Sequence, residues 1–393
     1  MSARKQKTIF HVDVNSAFLS WSAIKKLKEE PGSIDLRTVP SAVAGDVETR
    51  HGVVTAKSIP AGEYGVKTGE PVVKALAKCP NLIIVKSDMA AYRKYSHAFF
   101  KMLRTYCALV EQVSIDEAFM DMTGTESIYE QTEDDEPFPL NAAYQLKKDI
   151  RTALGFTVNI GISTNRLLAK MASDFEKPDK VHTLWPEEVH TKMWPLPIEK
   201  LYGCGESTAA RLRALGVKTI GDAAGLGEET LCAHLGEKNG LYIFRSANGA
   251  GDADVSNERE EAKGYSNEVT LAHDITTENY AKETPQVLRA LCEKVSARLR
   301  TDGVYASTIV VNIKTDRFVR HSRQIKLPDS TNSVEKIYEI ATLLMKRLLF
   351  GEQGMFSKNS RIRLIGVAAT GLDKGDFRQM TLFDMFQNQQ AEG

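Results

Sequence analysis

Three acidic residues stand where this chain could do phosphoryl chemistry. Asp13 lies near the end of the hydrophobic run Thr8-Ile-Phe-His-Val-Asp-Val14, and Asp116-Glu117 sit where two strand patterns meet. Carboxylates gathered at a sheet edge repel one another and need counter-charge. A hard divalent cation supplies it, and Mg²⁺ takes a few carboxylates together with substrate phosphates. Two such ions roughly 3.5 to 4 Å apart clamp the attacking and leaving oxygens of an in-line displacement. Strand side chains alternate faces, so Asp116 and Glu117 cooperate only if the chain turns or bulges there. By themselves these residues read more simply as a surface hairpin tip and a helix N-cap. His11 shares a strand face with Asp13 and reads as a hydrogen-bond partner, and Asp121 reads as structural.

The elements around them set the geometry. A buried strand ending near Val14 leads into a helix from about Ser16 to Glu29, which Pro31-Gly32 stops. Short strands and glycine-punctuated turns fill Thr38 to Val85. Tyr92, Tyr95, Phe99, Met102, Leu103 and Tyr106 recur at spacings of three and four, which predicts a helix over Met89 to Leu109. Two strands follow, Val110 to Ser114 and Ala118 to Met122, then an acidic insertion over Thr123 to Pro139. A helix around Ala142 to Ala153 and a strand over Phe156 to Ile160 complete the series. Strand, helix, hairpin, helix, strand is the order of a ferredoxin-like α+β sheet. Beyond it, Pro195 to about Ala247 is helical, Gly249 to Lys263 reads as a linker, and residues 263 to 371 form a last α+β unit. Its strands are expected near Ser307 to Thr315 and Ile362 to Ala369, its helices near Thr284 to Thr301 and Ser333 to Leu349.

Composition narrows the function classes. The 393 residues carry 51 basic and 51 acidic side chains, so the chain is not a uniformly basic binder. Charge is segregated, however: residues 263 to 371 hold 17 Lys/Arg against 11 Asp/Glu, an excess that suits a phosphate-facing module and equally a solvated surface. No stretch approaches eighteen apolar residues, which argues against a membrane span, and the apolar segment after the basic N-terminus is too short for a secretory leader. Five scattered cysteines without a CxxC pair suggest reduced thiols in a cytoplasmic protein.

Several motifs then agree. His11-Val-Asp-Val-Asn-Ser-Ala-Phe18, Ser114-Ile-Asp-Glu-Ala-Phe-Met-Asp121 and Gly161-Ile-Ser-Thr-Asn-Arg-Leu-Leu-Ala-Lys170 resemble the Y-family DNA polymerases, most closely their bacterial polymerase IV branch. The likeness continues through Leu201-Tyr-Gly-Cys-Gly205 and Lys263 to Thr270 to Gln379-Met-Thr-Leu-Phe383, nearly the whole chain. It implies a right-hand polymerase: a ferredoxin-like palm (1–16 and 87–176), small fingers (17–86), and a helical thumb with a helix-hairpin-helix (177–250). A linker (251–262), an α+β little finger (263–371) and a tail (372–393) follow. The implied activity is template-directed, distributive, low-fidelity extension of a primer by dNTPs, of the lesion-bypass class and without proofreading. Asp13 and Asp116 would be shared ligands of two Mg²⁺ ions (Mn²⁺ able to substitute), with Glu117 on the catalytic ion and the Val14 carbonyl on the nucleotide-bound one. The partners implied are primer-template DNA, dNTP and the bacterial sliding clamp, with the polymerase itself a monomer.

The same resemblance assigns a nucleotide pocket. Phe18 matches an aromatic gate that leaves no room for a 2′-hydroxyl, a rejection by clash. Lys170 suits a triphosphate as a point charge, with Asn165 and Ser163 nearby. The fingers depart from the pattern: Ile59 and Gly62 stand where the family carries a phosphate-binding tyrosine and arginine, and neither can donate a side-chain hydrogen bond. Ser58 stays in the motif, and Lys57, Arg50 or Lys67 would have to substitute. Asn15 also replaces a more usual aspartate, and Ala17 a common aromatic. In the thumb, Gly203 and Gly205 let the backbone approach a phosphate, with Arg211 and Arg213 adding charge. Gln379, Leu382 and Phe383 would anchor the tail to the clamp. The fingers departures also motivate another reading, a non-catalytic DNA- and clamp-binding homologue, and a metal-dependent nuclease is a further rival.

Overall fold

The strand that carries the first carboxylate is buried along its whole length. In the computed structural model, which describes residues 6–45, 52–129, 136–258 and 261–375, β1 (Ile9–Val14) puts Phe10, Val12 and Val14 into one core. His11 and Asp13 take the alternate face. The chain turns at Ser16, which adopts a left-handed φ of 46°, into α1 (Ala17–Glu29). A small sheet of order β3-β2-β4 follows, built from β2 (Ser41–Ala44), β3 (Val54–Lys57) and β4 (Ile83–Lys86) with α2 (Ile59–Glu63) and α3 (Val72–Lys78).

The main platform resumes with α4 (Met89–Leu103), β5 (Leu109–Gln112), β6 (Glu117–Asp121), α5 (Leu140–Leu154), β7 (Val158–Ser163), α6 (Arg166–Ser173) and β8 (Val181–Thr183). Its strand order is β5-β6-β1-β7-β8. The first four strands reproduce the ferredoxin-like arrangement expected from element order, and β8 adds a parallel edge. One face is covered by α1, α4 and α5 through Trp21, Tyr92, Phe99, Leu103, Leu146 and Ile150. The opposite face receives α6, which lies so close to β7 that any side chain at Gly161 would strike the backbone of Ala169 and Ser173. Glycine there is a packing requirement, and it brings Lys170 over the carboxylates.

Four further helices complete this unit: α7 (Glu206–Ala214), α8 (Ile220–Gly225), α9 (Glu228–Leu235) and α10 (Glu237–Ala247), around Leu201, Leu212, Ile220, Leu231 and Ile243. The second unit is a four-stranded antiparallel sheet of order β11-β10-β12-β9, from β9 (Gly264–Ile275), β10 (Tyr305–Thr315), β11 (Arg320–Thr331) and β12 (Ile362–Asp373). Helices α11 (Tyr280–Thr301) and α12 (Val334–Leu349) cover one face. Sequence patterning located the central pair β10 and β12 but not the outer strands β9 and β11. The reason is physical: an edge strand buries little, and β11 reads Arg-His-Ser-Arg-Gln-Ile-Lys with only Leu327 fully buried. Among the described residues no helix is long and apolar enough to cross a membrane.

Candidate active site

Pairing register brings two of the carboxylates together. Asp13 on β1 is the direct antiparallel partner of Glu117 on β6, so their side chains share a face. Asp116 escapes strand alternation because β6 starts only at Glu117. It sits in the β5–β6 turn, closed by Val113 and Ser114 N–H groups on the Glu117 carbonyl, and its own carbonyl accepts from Val14 N–H at 3.1 Å. The turn that adjacent carboxylates require is therefore present.

Each acid has its own counter-group. Asp13 holds the Lys177 ammonium, which also reaches Asp174 at 2.7 Å. Glu117 faces His11 Nε2 and Lys170 Nζ, both at 3.4 Å, and these hold its carboxyl down to about 2. His11 is fully buried, which lowers its pKa, and its Nδ1 lies 2.8 Å from Ser173 Oγ. Asp116 pairs with no cation among the described residues; the Ser114 hydroxyl donates to it at 2.6 Å. Burial, with the charges of Asp13 and Glu117, pushes the Asp116 carboxyl above the ordinary range. That repulsion shows the three acids feeling one another's charge. They are not drawn in as a finished cage, since no cluster of three metal-ligand side chains is present among the described residues. Asp121 is apart from this chemistry: it pairs with Lys7 at 2.5 Å and accepts from Thr123 N–H.

Beside the acids opens a cleft of about 240 Å³, lined by Asp13, Asn15, Ser16, Ser58, Ile59 and Lys177 among others. Ser16 makes no side-chain cap, so the first N–H groups of α1 have no cap there. Phe18, on the first turn of α1, stacks on Tyr92 at 4.6 Å between centroids, with the rings 10° apart. Lys177 was not singled out from the sequence. The only signal was a lysine seven residues beyond Lys170, and its role depends on a contact to a residue 164 positions away.

Other candidates are engaged in holding the fold. The Ser58 hydroxyl caps α2 through Ala61 N–H and bridges Ser41 and Val39. Asn165 caps α6 through Leu168 N–H and donates to the Gly249 carbonyl. Ser163 donates to the Leu184 carbonyl. Lys57 has no carboxylate partner among the described residues, and its ammonium occupies the space a side chain at Gly62 would take. Gly203 (φ 80°) leaves room for the Tyr242 ring, and Gly205 opens α7 uncapped. Arg211 donates to the His234 carbonyl at the end of α9, while Arg213 pairs with Glu199 and Glu206. Arg50 and the tail residues Gln379, Leu382 and Phe383 lie outside the described residues, as do positions 130–135 of the acidic insertion.

Comparison with known proteins decides the family. Residues 12–174 match the impB/mucB/samB family, 262–382 its C-terminal domain, and 186–217 the IMS family HHH motif. DNA polymerase IV of Clostridium acetobutylicum is 43% identical over 96% of this chain and 90% of its own length. DNA polymerase IV 1 of Bacillus subtilis is 36% identical over 99% and 88%. The chain belongs to the Y-family DNA polymerases, on the polymerase IV branch. Its fold agrees with a solved Y-family DNA polymerase chimera, Dbh-Dpo4(243-245)-Dbh, at a TM-score of 0.77 and 22% identity, covering 93% of this chain and 98% of that one. Dependence on a divalent cation comes with membership of this family. The hard oxygen donors of Asp13, Asp116 and Glu117 suit such an ion, and the under-neutralised Asp116 is where added positive charge relieves most.

Proposed function

We propose that this DNA-directed DNA polymerase of the lesion-bypass class extends a primer 3′ end with Asp13, Asp116 and Glu117 as its acidic set. The observation that carries the reading is the direct pairing of Asp13 with Glu117, with Asp116 in the turn beside them. These three side chains and the Val14 carbonyl would hold two Mg²⁺ ions, Mn²⁺ being able to substitute. When bound, the ions supply charge stabilisation to a displacement in which the primer 3′-oxygen attacks the α-phosphate and pyrophosphate leaves.

The chain's own residues prepare the rest. The uncapped start of α1 offers backbone N–H groups and the positive end of a 13-residue helix to the phosphates. Lys177 lines the same cleft and would exchange its hold on Asp13 for the triphosphate as cations take over the carboxylate. Lys170, against Glu117 and Asp174, helps keep Glu117 ionised and would contact the nucleotide from that side. Phe18, backed by Tyr92, closes the sugar end. Lys57, over Gly62, is our candidate to replace the missing fingers arginine, with Ser58 and Asn165 shaping the pocket walls. Lys177→Ala is expected to raise KM for dNTP about tenfold with kcat changed less than about threefold, as loss of one charge-assisted contact implies. Single-nucleotide insertion kinetics measure this, and an unchanged KM would remove Lys177 from the phosphate site.

Gly203 and Gly205 with Arg211 support a backbone-reading DNA contact at the thumb turn, which carries no sequence preference. The palm, fingers, thumb, linker and little-finger boundaries given above remain our working division. So do a monomeric, cytoplasmic enzyme of low fidelity without proofreading. Gln379, Leu382 and Phe383 would tether the tail to the sliding clamp, raising effective concentration at the primer end. Removing residues 379–393 should abolish clamp-stimulated synthesis and leave clamp-free extension intact; stimulation that survives the truncation refutes the tether. The non-catalytic alternative predicts no extension in Mg²⁺ by the full-length protein, and a nuclease predicts shortened primers.

A further inference from the structure

Asn15, where the resemblance leads one to expect aspartate, sits in a network of buried and half-buried amide hydrogen bonds. Its side chain is buried in the wall of the triphosphate cleft and makes three hydrogen bonds. Its Oδ1 accepts from the Thr157 hydroxyl and from the Asp179 backbone N–H, each at 3.0 Å. Its Nδ2 donates to Asn159 Oδ1 at 3.1 Å. Asn159, fully buried on β7 opposite Asp13, donates through Nδ2 to the carbonyls of Ser173 (3.0 Å) and Glu176 (2.6 Å). Lys180 N–H also approaches Asn159 Oδ1 at 3.3 Å.

Two amides thus tie down the backbone of 173–180 at four points, and Lys177 projects from the middle of that segment onto Asp13. From outside, Lys147 donates to the Asp179 carbonyl at 2.7 Å. The polarity of the chain of bonds is forced. Both Asn159 N–H groups are spent on carbonyls, so its oxygen must face residue 15, which must then present a donor. An aspartate at 15 would still accept from Thr157 and Asp179 but would press a carboxylate oxygen against the Asn159 oxygen, with no donor between them. Flipping Asn159 would only move the defect to Ser173 and Glu176, leaving the buried Ser173 carbonyl unpaired.

We propose that Asn15, through Asn159, is a positioning residue that sets where Lys177 stands in the triphosphate cleft, and so tunes nucleotide affinity without touching the nucleotide. The inference rests on the reading of Lys177 as a phosphate contact. It predicts a selective kinetic defect. Asn15→Asp should raise KM for dNTP about tenfold while kcat stays within about threefold. Thr157→Val, which removes one bond at a half-buried site, should raise KM about twofold to threefold without loss of fold.

The test is a double-mutant cycle in single-nucleotide insertion, run on full-length protein with melting curves for each variant. Asn15→Asp combined with Lys177→Ala should be no worse than Lys177→Ala alone, because residues acting through one another are not additive. Multiplied KM defects, with Lys177→Ala itself impaired, would overturn the positioning role and leave the phosphate contact standing. A drop in kcat at unchanged KM for Asn15→Asp would overturn it as well. A Lys177→Ala enzyme with unaltered KM would instead sink the phosphate contact, and the positioning role with it. Should Asn15→Asp prove unfolded, the Thr157→Val and Lys177→Ala pair decides by the same criterion.

Discussion

Asp116→Ala is expected to cut primer extension by at least about a thousandfold while leaving the melting temperature unchanged or slightly raised. The loss follows from what each acid can still offer. Asp13 already holds Lys177, and Glu117 is shared between His11 and Lys170. Among the described residues Asp116 meets no cation, so its negative charge is the least compensated of the three and the most available to one. Removing several kcal/mol of charge stabilisation from a phosphoryl transfer corresponds to roughly three decades in rate. The stability side runs the other way. A carboxyl whose folded-state pKa is raised stabilises the fold less as pH climbs through that value, so near neutrality the ionised group is a local liability. Its removal relieves repulsion on Asp13 and Glu117. Extension assays with added Mg²⁺ and Mn²⁺, primer-template binding and thermal melting on one preparation separate the two effects. A variant that extends primers normally would end the triad assignment, and one that melts far lower would show Asp116 to be structural.

Phe18→Ala should raise ribonucleotide insertion relative to deoxynucleotide insertion by about a hundredfold, mostly through better use of the ribonucleotide. The ring lies in the first turn of α1 and is stacked flat on Tyr92, with Trp21 tilted against it at 6.1 Å. That backing makes the wall stiff, and a stiff wall discriminates by clash, where a mobile ring would yield. Truncation opens the space a 2′-hydroxyl needs. It also removes aromatic contact from a partly buried position, so some loss of stability accompanies it. The ratio of kcat/KM for the two sugars, taken on one base, isolates the gate from that general effect. A ratio that does not move would place the sugar elsewhere.

The two results probe different depths of legibility. Motifs spaced along the chain sufficed to name the family, because such residues recur in fixed local order. Element order sufficed for the main sheet: β1, β6 and β7 bury alternating or continuous apolar runs, and such runs have few other uses. The helix expected to run to Leu109 stops at Leu103, where the Thr105 and Tyr106 N–H groups turn back onto Met102 and Leu103 to start β5. Exposed edge strands β9 and β11 escaped altogether, since little apolar patterning is needed where a strand has one neighbour.

What the sequence determined by itself was the chemistry and the class of fold. What only the tertiary structure decided was which groups neutralise which acids. Lys177 on Asp13, Lys170 on Glu117 and the Asn15–Asn159 pair all join residues between 53 and 164 positions apart. The physical reason is that charge pairing and amide polarity depend on distance in space, and sequence spacing determines that distance only within a single turn or strand pair.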